Sequence, residues 1–209
     1  MDIVATSDWH GKFPEIPACD LLLIAGDVCP LDSHQPHHQR AWLRGPFSDF
    51  LNKVPAEEIV WIAGNHDFVC ETPGFRRIAD ELPGHYLIDD SIEISGIKIY
   101  GSPWVPDLPS WAFYADDSLL QERADRIPLD SDIVLLHGPP KGILDSVHGN
   151  HVGAGFIMSR LQQVIPRYVI FGHIHEGYGR MNLGGVEFKN VSYLDEFYDP
   201  RFPPQAFKY

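Results

Sequence analysis

The chain has 209 residues, 44% hydrophobic and 22% charged, enough to bury a substantial core as a single domain over 1–209. A formal charge of -13 at pH 7 sets most of the surface against long nucleic acids, yet divalent cations held in one cleft would still admit a small phosphoester. No apolar run approaches the roughly 20 residues of a membrane span, so no membrane partner is expected.

The opening segment MDIVATSDWHG lacks a basic, apolar leader, and Cys19, Cys29 and Cys70 form no C-x-x-C pair, so neither disulfides nor a thiolate zinc site is indicated. The expected location is the cytoplasm. Short β-branched runs then recur, each ending in a polar residue or glycine. They are DIVAT (2–6) before SDWHG, DLLLIA (20–25) before GDV, EIVWIA (58–63) before GNHD, DIVLL (132–136) before HGPP, and RYVIF (167–171) before GHIH. Runs apolar on both faces predict buried strands with polar chemistry at their ends. Mixed spacing predicts helices at 38–52, 74–81, 117–126 and 155–164. Ser95-Gly96 in SIEISGIKIYGS and Gly184-Gly185 in GRMNLGGVEFKNVS predict two hairpins, which concentrates antiparallel pairing in the second half. The tail, with prolines clustered at 200–204, reads as an extended packed segment. These patterns alone give an α/β class.

A dinuclear hydrolytic site needs carboxylate, imidazole and amide ligands, with one carboxylate reaching both ions. Asp8 and His10, one residue apart, point the same way from an extended strand end and can grip one ion together. Gly26 permits a tight turn that sends Asp27 inward as a bridge. Asn65, His137, His173 and His175 supply further ligands at the next three strand ends. A lone D-x-H or G-D after a strand is usually a turn or cap. Five such motifs in order, each after an apolar run, point to metal chemistry.

With SDWH at 7–10, GD at 26–27, GNHD at 64–67, LLHG at 135–138 and GHIH at 172–175, the chain resembles the calcineurin-like metallophosphoesterases. HGPPKGILD and FGHIHEGYG resemble the small metallophosphoesterase-domain-containing branch of that family. The resemblance implies an α/β sandwich of two mixed β-sheets flanked by helices, with a dinuclear metal site at the strand ends. It implies one divalent ion on Asp8, His10, Asp27 and His175, and another on Asp27, Asn65, His137 and His173, with a water or hydroxide between them as nucleophile. Manganese is the favoured metal, and iron, zinc or cobalt suit the same ligands. His66 is expected to protonate the leaving alkoxide or stabilise phosphoryl charge, and Asp67 to accept a hydrogen bond from the His66 ring. The implied reaction is hydrolysis of small phosphodiesters, nucleotides and cyclic nucleotides among them. A phosphomonoesterase, a protein phosphatase and a non-catalytic metal-bound binding module are the alternatives.

Other residues read more plainly. His34, His37 and His38 belong to a solvated loop, His148 and His151 to another loop, and His85 to the framework. Trp9 reads as core, Arg40 and Arg44 as solvated helix charges, and Asn190, Val191 and Ser192 as a late core strand without chemistry. Trp104, Trp111 and Phe113 suit an interface, a cleft cover or the core, which leaves the oligomeric state open.

Overall fold

Residue alternation sorts the apolar strands onto two faces, and each face finds its own core. The computed structural model describes residues 1–106 and 108–209. In β1 (Asp2–Thr6), Ile3 and Ala5 point one way and Val4 the other; in β2 (Cys19–Ala25), Leu21 and Leu23 oppose Leu22 and Ile24. β3 (Ala56–Ile62) repeats this with Val60 and Ile62 against Ile59 and Trp61. These strands pair in parallel. The two-residue β4 (His85–Tyr86) extends the sheet beyond β3.

The second sheet begins with the expected hairpin, β5 (Asp90–Ile94) and β6 (Ile97–Ser102), turning at Ser95-Gly96. β7 (Ile133–Leu136) follows. A small hairpin, β8 (Ser146–Val147) and β9 (Asn150–His151), then precedes β10 (Tyr168–Phe171). The second expected hairpin is β11 (Gly179–Leu183) with β12 (Val186–Asn190). The order is β11-β12-β10-β7-β6-β5, with the inner four strands parallel and both outer strands antiparallel. The proline-rich tail ends as β13 (Gln205–Lys208), antiparallel to β1, so the first sheet runs β13-β1-β2-β3-β4. Both sheets are mixed.

The inner faces meet in a core containing Ile3, Leu23, Val60, Ile99, Leu135 and Ile170, none of which exposes any surface. Burial of each such side chain contributes about 1.5–3 kcal/mol. On the outer face of the first sheet, Val4, Leu22 and Trp61 pack against Leu43, Phe47 and Phe75. On the outer face of the second, Val134, Val169 and Phe188 pack against Leu120, Ile157 and Leu161. Trp9 lies in the first of these layers as expected, fully buried, with Nε1 donating to Thr6 Oγ1 at 3.1 Å.

The helix expected at 38–52 starts earlier, at Pro36, whose fixed φ suits a first helical position. It is also not uniform. α1 (Pro36–Trp42) widens into a π-helical turn at Leu43–Phe47 before α2 (Ser48–Leu51). Pro46 has no N–H to donate and crowds the carbonyl four residues back, and the wider turn accommodates both defects. α3 (Phe75–Ala79) is shorter than expected at both ends: Gly74, at φ 83°, is left-handed and stays outside, and the helix is already capped at Asp80. α4 (Asp117–Asp125) is capped by Asp116, which accepts from Leu119 N at 2.9 Å. α5 (Gly155–Val164) has the expected bounds.

Parallel pairing brings the carboxyl ends of β1, β2 and β3 to one rim, and those of β7 and β10 to the facing rim. The rims are stitched together: His137 Nδ1 donates to Ala25 O at 2.8 Å, and Ser7 N donates to Val191 O at 3.0 Å.

Candidate metal centre

At the strand ends the backbone leaves extended geometry abruptly. Asp8 (φ 54°), His10 (φ 44°), Asp27 (φ 54°) and His173 (φ 68°) all adopt left-handed conformations. For a residue with a side chain this costs about 1–3 kcal/mol, so the surroundings must over-determine it. They do so with cross-strand hydrogen bonds: Asp8 N donates to Gly26 O at 3.0 Å and His10 N to Asp27 O at 2.9 Å. Gly26 takes φ 95°, making the tight turn expected before Asp27.

The side chains then converge. One ligand atom per residue comes within 4.8 Å of the others in three groups: Asp8 with His10 and His175, Asp8 with Asp27 and His137, and His10 with Asp27 and His66. Asp27 Oδ2 lies 3.7 Å from His10 Nε2 and 3.4 Å from His137 Nε2. His175 Nε2 lies 3.7 Å from Asp8 Oδ1, and Asn65 Oδ1 lies 2.9 Å from His137 Nε2. The His173 ring stands 5.1 Å from that of His137, and its backbone N donates to Asp8 Oδ2 at 3.0 Å.

The fit to a metal rests on His10. Both its ring nitrogens are buried and, among the described residues, have no hydrogen-bond partner. An orphaned buried imidazole beside two carboxylates is costly unless a cation takes its lone pair. Two other rings are already oriented for that task. His137 Nδ1 donates to Ala25 O at 2.8 Å and His175 Nδ1 to Asp195 O at 2.7 Å, which leaves each Nε2 facing a carboxylate.

Burial disfavours charge on all these groups, taking His10 down to about 4 and His173 to about 3. At His137 burial is outweighed by Asp27, and at His175 by Asp8, so both rise to about 9. Asp8 and Asp27 stay below the usual carboxylate range despite burial, held there by His175 and His137 respectively.

Asp67 departs from expectation. Its carboxylate does not meet the His66 ring; it accepts backbone N–H groups from Cys29 at 2.8 Å, Gly64 at 2.8 Å and Val28 at 3.3 Å. Burial and the neighbouring Asp27 push its pKa up to about 6. Asp67 thus ties the turn carrying Asp27 to the turn carrying Asn65. The partner of the His66 ring is instead His34, whose Nε2 lies 3.3 Å from His66 Nδ1. His34 is half-buried there, whereas His37 and His38 are exposed as expected. His66 N also donates to Asp27 Oδ1 at 2.7 Å.

Sequence reasoning missed several supports. Ser7 Oγ and Ser192 Oγ lie 2.5 and 2.8 Å from Asp8 Oδ2, which corrects the reading of Ser192 as chemically idle. Buried Gln39 binds the backbone of His66 and Val69 at 2.7 and 2.9 Å. Of the three aromatics left open, Phe113 is core, Trp104 donates to Asp89 at 2.9 Å, and Trp111 lies 4.3 Å from the His66 ring. Arg44 pairs with Glu81 at 2.6 Å on the surface, and His151 pairs with buried Asp145 at 2.6 Å.

Two mixed sheets flanked by helices, with imidazoles and carboxylates converging at the strand ends, define a metallohydrolase. The family description that matches residues 1–177 is Calcineurin-like phosphoesterase. The chain is 32% identical to human metallophosphoesterase domain-containing protein 1 over 96% of this chain and 68% of that protein. It is 30% identical to a cAMP/cGMP dual specificity phosphodiesterase of Mycobacterium tuberculosis over 75% of this chain and 48% of that protein. A solved structure only 15% identical superposes with a TM-score of 0.67, covering 94% of this chain and 91% of the other, a likeness of fold alone. The chain belongs to the calcineurin-like phosphoesterase family and is a metal-dependent phosphoesterase. Among the described residues, no helix is long and apolar enough to cross a membrane.

Proposed function

We propose that this chain hydrolyses small phosphodiesters, cyclic nucleotides among them, at a pair of divalent ions, manganese being the favoured metal. The observation that carries the reading is the position of Asp27 Oδ2, 3.7 Å from His10 and 3.4 Å from His137, so that one carboxylate faces both ligand groups. Asp8, His10, Asp27 and His175 would hold one ion, and Asp27, Asn65, His137 and His173 would hold the other. When bound, the ions supply Lewis acidity at the phosphoryl oxygens and lower the pKa of water towards neutrality. The chain's own side chains do the rest. His66, 4.6 Å ring to ring from His10 and hydrogen-bonded through its Nδ1 to His34 Nε2, protonates the leaving alkoxide. Asp67 fixes the two turns that set the Asp27 to Asn65 geometry. Diester and cyclic-nucleotide specificity draws support from the name of the Mycobacterium tuberculosis relative. A cytoplasmic location and a small phosphoester substrate, with no long nucleic acid or membrane as partner, belong to the same proposal.

The test is hydrolysis of bis(p-nitrophenyl) phosphate and p-nitrophenyl phosphate by wild type, Asp27→Ala and His66→Ala after chelation and manganese add-back. Manganese should restore diester cleavage in wild type, and Asp27→Ala should lose both an ion and turnover. His66→Ala should retain the ions yet lose about 10²- to 10⁴-fold in rate. Preferential monoester cleavage would replace the diesterase reading with a phosphatase. A fully loaded wild type that cleaves neither these esters nor natural nucleotides would make the chain a binding module.

A further inference from the structure

Tyr198 is a bulky residue at φ 62°, a left-handed conformation that needs enforcing. The loop enforces it with several ties. Asp195 Oδ1 accepts from Phe197 N and Asp199 N, each at 3.0 Å, Tyr198 N donates to Asp195 O at 2.9 Å, and Lys12 Nζ donates to Tyr198 O at 2.5 Å. The same Asp195 carbonyl accepts a hydrogen bond from His175 Nδ1, so the tyrosine loop is braced directly to a candidate ligand side chain. The Tyr198 ring stands 5.0 Å from His10 and 5.1 Å from His175, and the residue remains 37% exposed.

Trp111 is held in a matching way. Ala112 N, beside it, donates to Asn65 O at 3.2 Å, so this loop too is tied to a ligand segment. The Trp111 ring lies 4.3 Å from His66, 5.1 Å from His34 and 5.9 Å from Phe68, half-buried. Tyr198 lies 6.5 Å from the same His66 ring. Two partly exposed aromatic rings are therefore fixed within a few ångströms of the imidazoles that would surround a bound phosphoryl group. Tyr198 is outside every hydrophobic core cluster, so core packing does not account for the strained backbone that holds its partly exposed ring against His10 and His175.

We propose that Tyr198 and Trp111 line a subsite for a flat aromatic group attached to the phosphate, such as an aryl group or a nucleobase, and select such esters over aliphatic ones. The inference rests on the phosphoester reading above, and it assigns the recognition to ring faces. Stacking suits any planar group and needs no base-specific hydrogen bond.

The test uses non-hydrolysable probes, so that it is independent of turnover. Phenylphosphonate and ethylphosphonate carry the same anionic head and differ in the planar group. Their affinities for the manganese-loaded full chain are measured by calorimetry for wild type, Tyr198→Gly, Tyr198→Phe and Trp111→Leu. Glycine suits φ 62°, so Tyr198→Gly removes the ring without adding strain. Wild type should prefer the phenyl probe by about tenfold, and Tyr198→Gly and Trp111→Leu should each lose most of that preference. Tyr198→Phe, which keeps the ring, should restore it. Equal affinity for the two probes in wild type overturns the proposal, as does a preference that survives both ring deletions. If ester hydrolysis fails while the phenyl preference and its loss are observed, the hydrolytic reading falls and the subsite stands.

Discussion

Adding one methyl group at Gly64 should disable the metal centre while leaving the chain folded. Gly64 does not have a positive φ, so alanine brings no backbone strain; the effect is steric. Its Cβ would collide with Asp27 Oδ1 and would stand 2.6 Å from both Asp27 N and His137 Cε1. Restoring ordinary contact at 3.4 Å requires the Asp27 backbone and His137 to retreat by about 0.8 Å, the difference from 2.6 Å, and the Asp27 carboxylate to move further still. Neither can retreat easily, because His137 is anchored to Ala25 O and Asp27 lies in a left-handed turn. A displacement of about 1 Å at a reacting centre costs on the order of 10²-fold in rate. Gly64→Ala should therefore lose at least one of the two proposed ions, or about that factor in turnover, with its melting temperature measured in the metal-free state as the control for folding. Metal titration by calorimetry, followed by diester turnover at saturating manganese, reads the result. Two ions bound with wild-type affinity and wild-type turnover would refute the packing argument, and with it the placement of Asp27 between the ligand groups.

Ser192→Ala removes a hydroxyl 2.8 Å from Asp8 Oδ2; losing an outer partner of a ligand typically weakens metal binding about 10- to 100-fold, and an unchanged metal dissociation constant would count against that role. The pH dependence of the metal-free protein should differ from that of the loaded protein. His137 and His175 titrate at about 9 when folded, against an ordinary value of 6.5, so the stability they contribute is complete below about pH 6.5 and is lost as pH rises through 9. Metal binding replaces those protons. Scanning calorimetry should show the metal-free melting temperature falling across this window while the loaded protein's does not, and parallel curves would contradict the assignment. At pH 7, metal uptake should release protons from both rings, visible as a dependence of the binding heat on the buffer's ionisation enthalpy.

The strands were legible because the unbroken apolar runs within DIVAT, DLLLIA and EIVWIA report two buried faces whatever the partners are. The convergence of the candidate ligand side chains was legible because each sits just after such a run, where parallel pairing brings strand ends together. The π-helical turn at Leu43–Phe47 was not, since a proline within a helical pattern signals a defect without naming its form. Asp67 was misjudged for a local reason. Its backbone angles, φ -91° and ψ 59°, turn the side chain away from His66 and onto the amides of Val28 and Cys29, a partnership spanning 38 residues for Cys29. Ser192 and Asp195 were invisible as supports because their partners, Asp8 and His175, lie 184 and 20 residues away, and sheet register decides such meetings. His34 carried no motif, and only the fold of its loop over His66 gives it a role.

The stitch between the two rims carries a consequence for the whole sandwich. The first sheet's strand ends deliver Asp8, His10, Asp27 and Asn65, and the second sheet's deliver His137, His173 and His175. Neither layer supplies all the side chains of the proposed centre, so the spacing and tilt of one layer over the other are transmitted directly to their relative positions. A substitution deep between the layers, far from any ligand, would change the bite of the site by rocking the halves. Under the proposed ligand assignment, metal affinity therefore depends on the shape of the central core as well as on the ligands themselves.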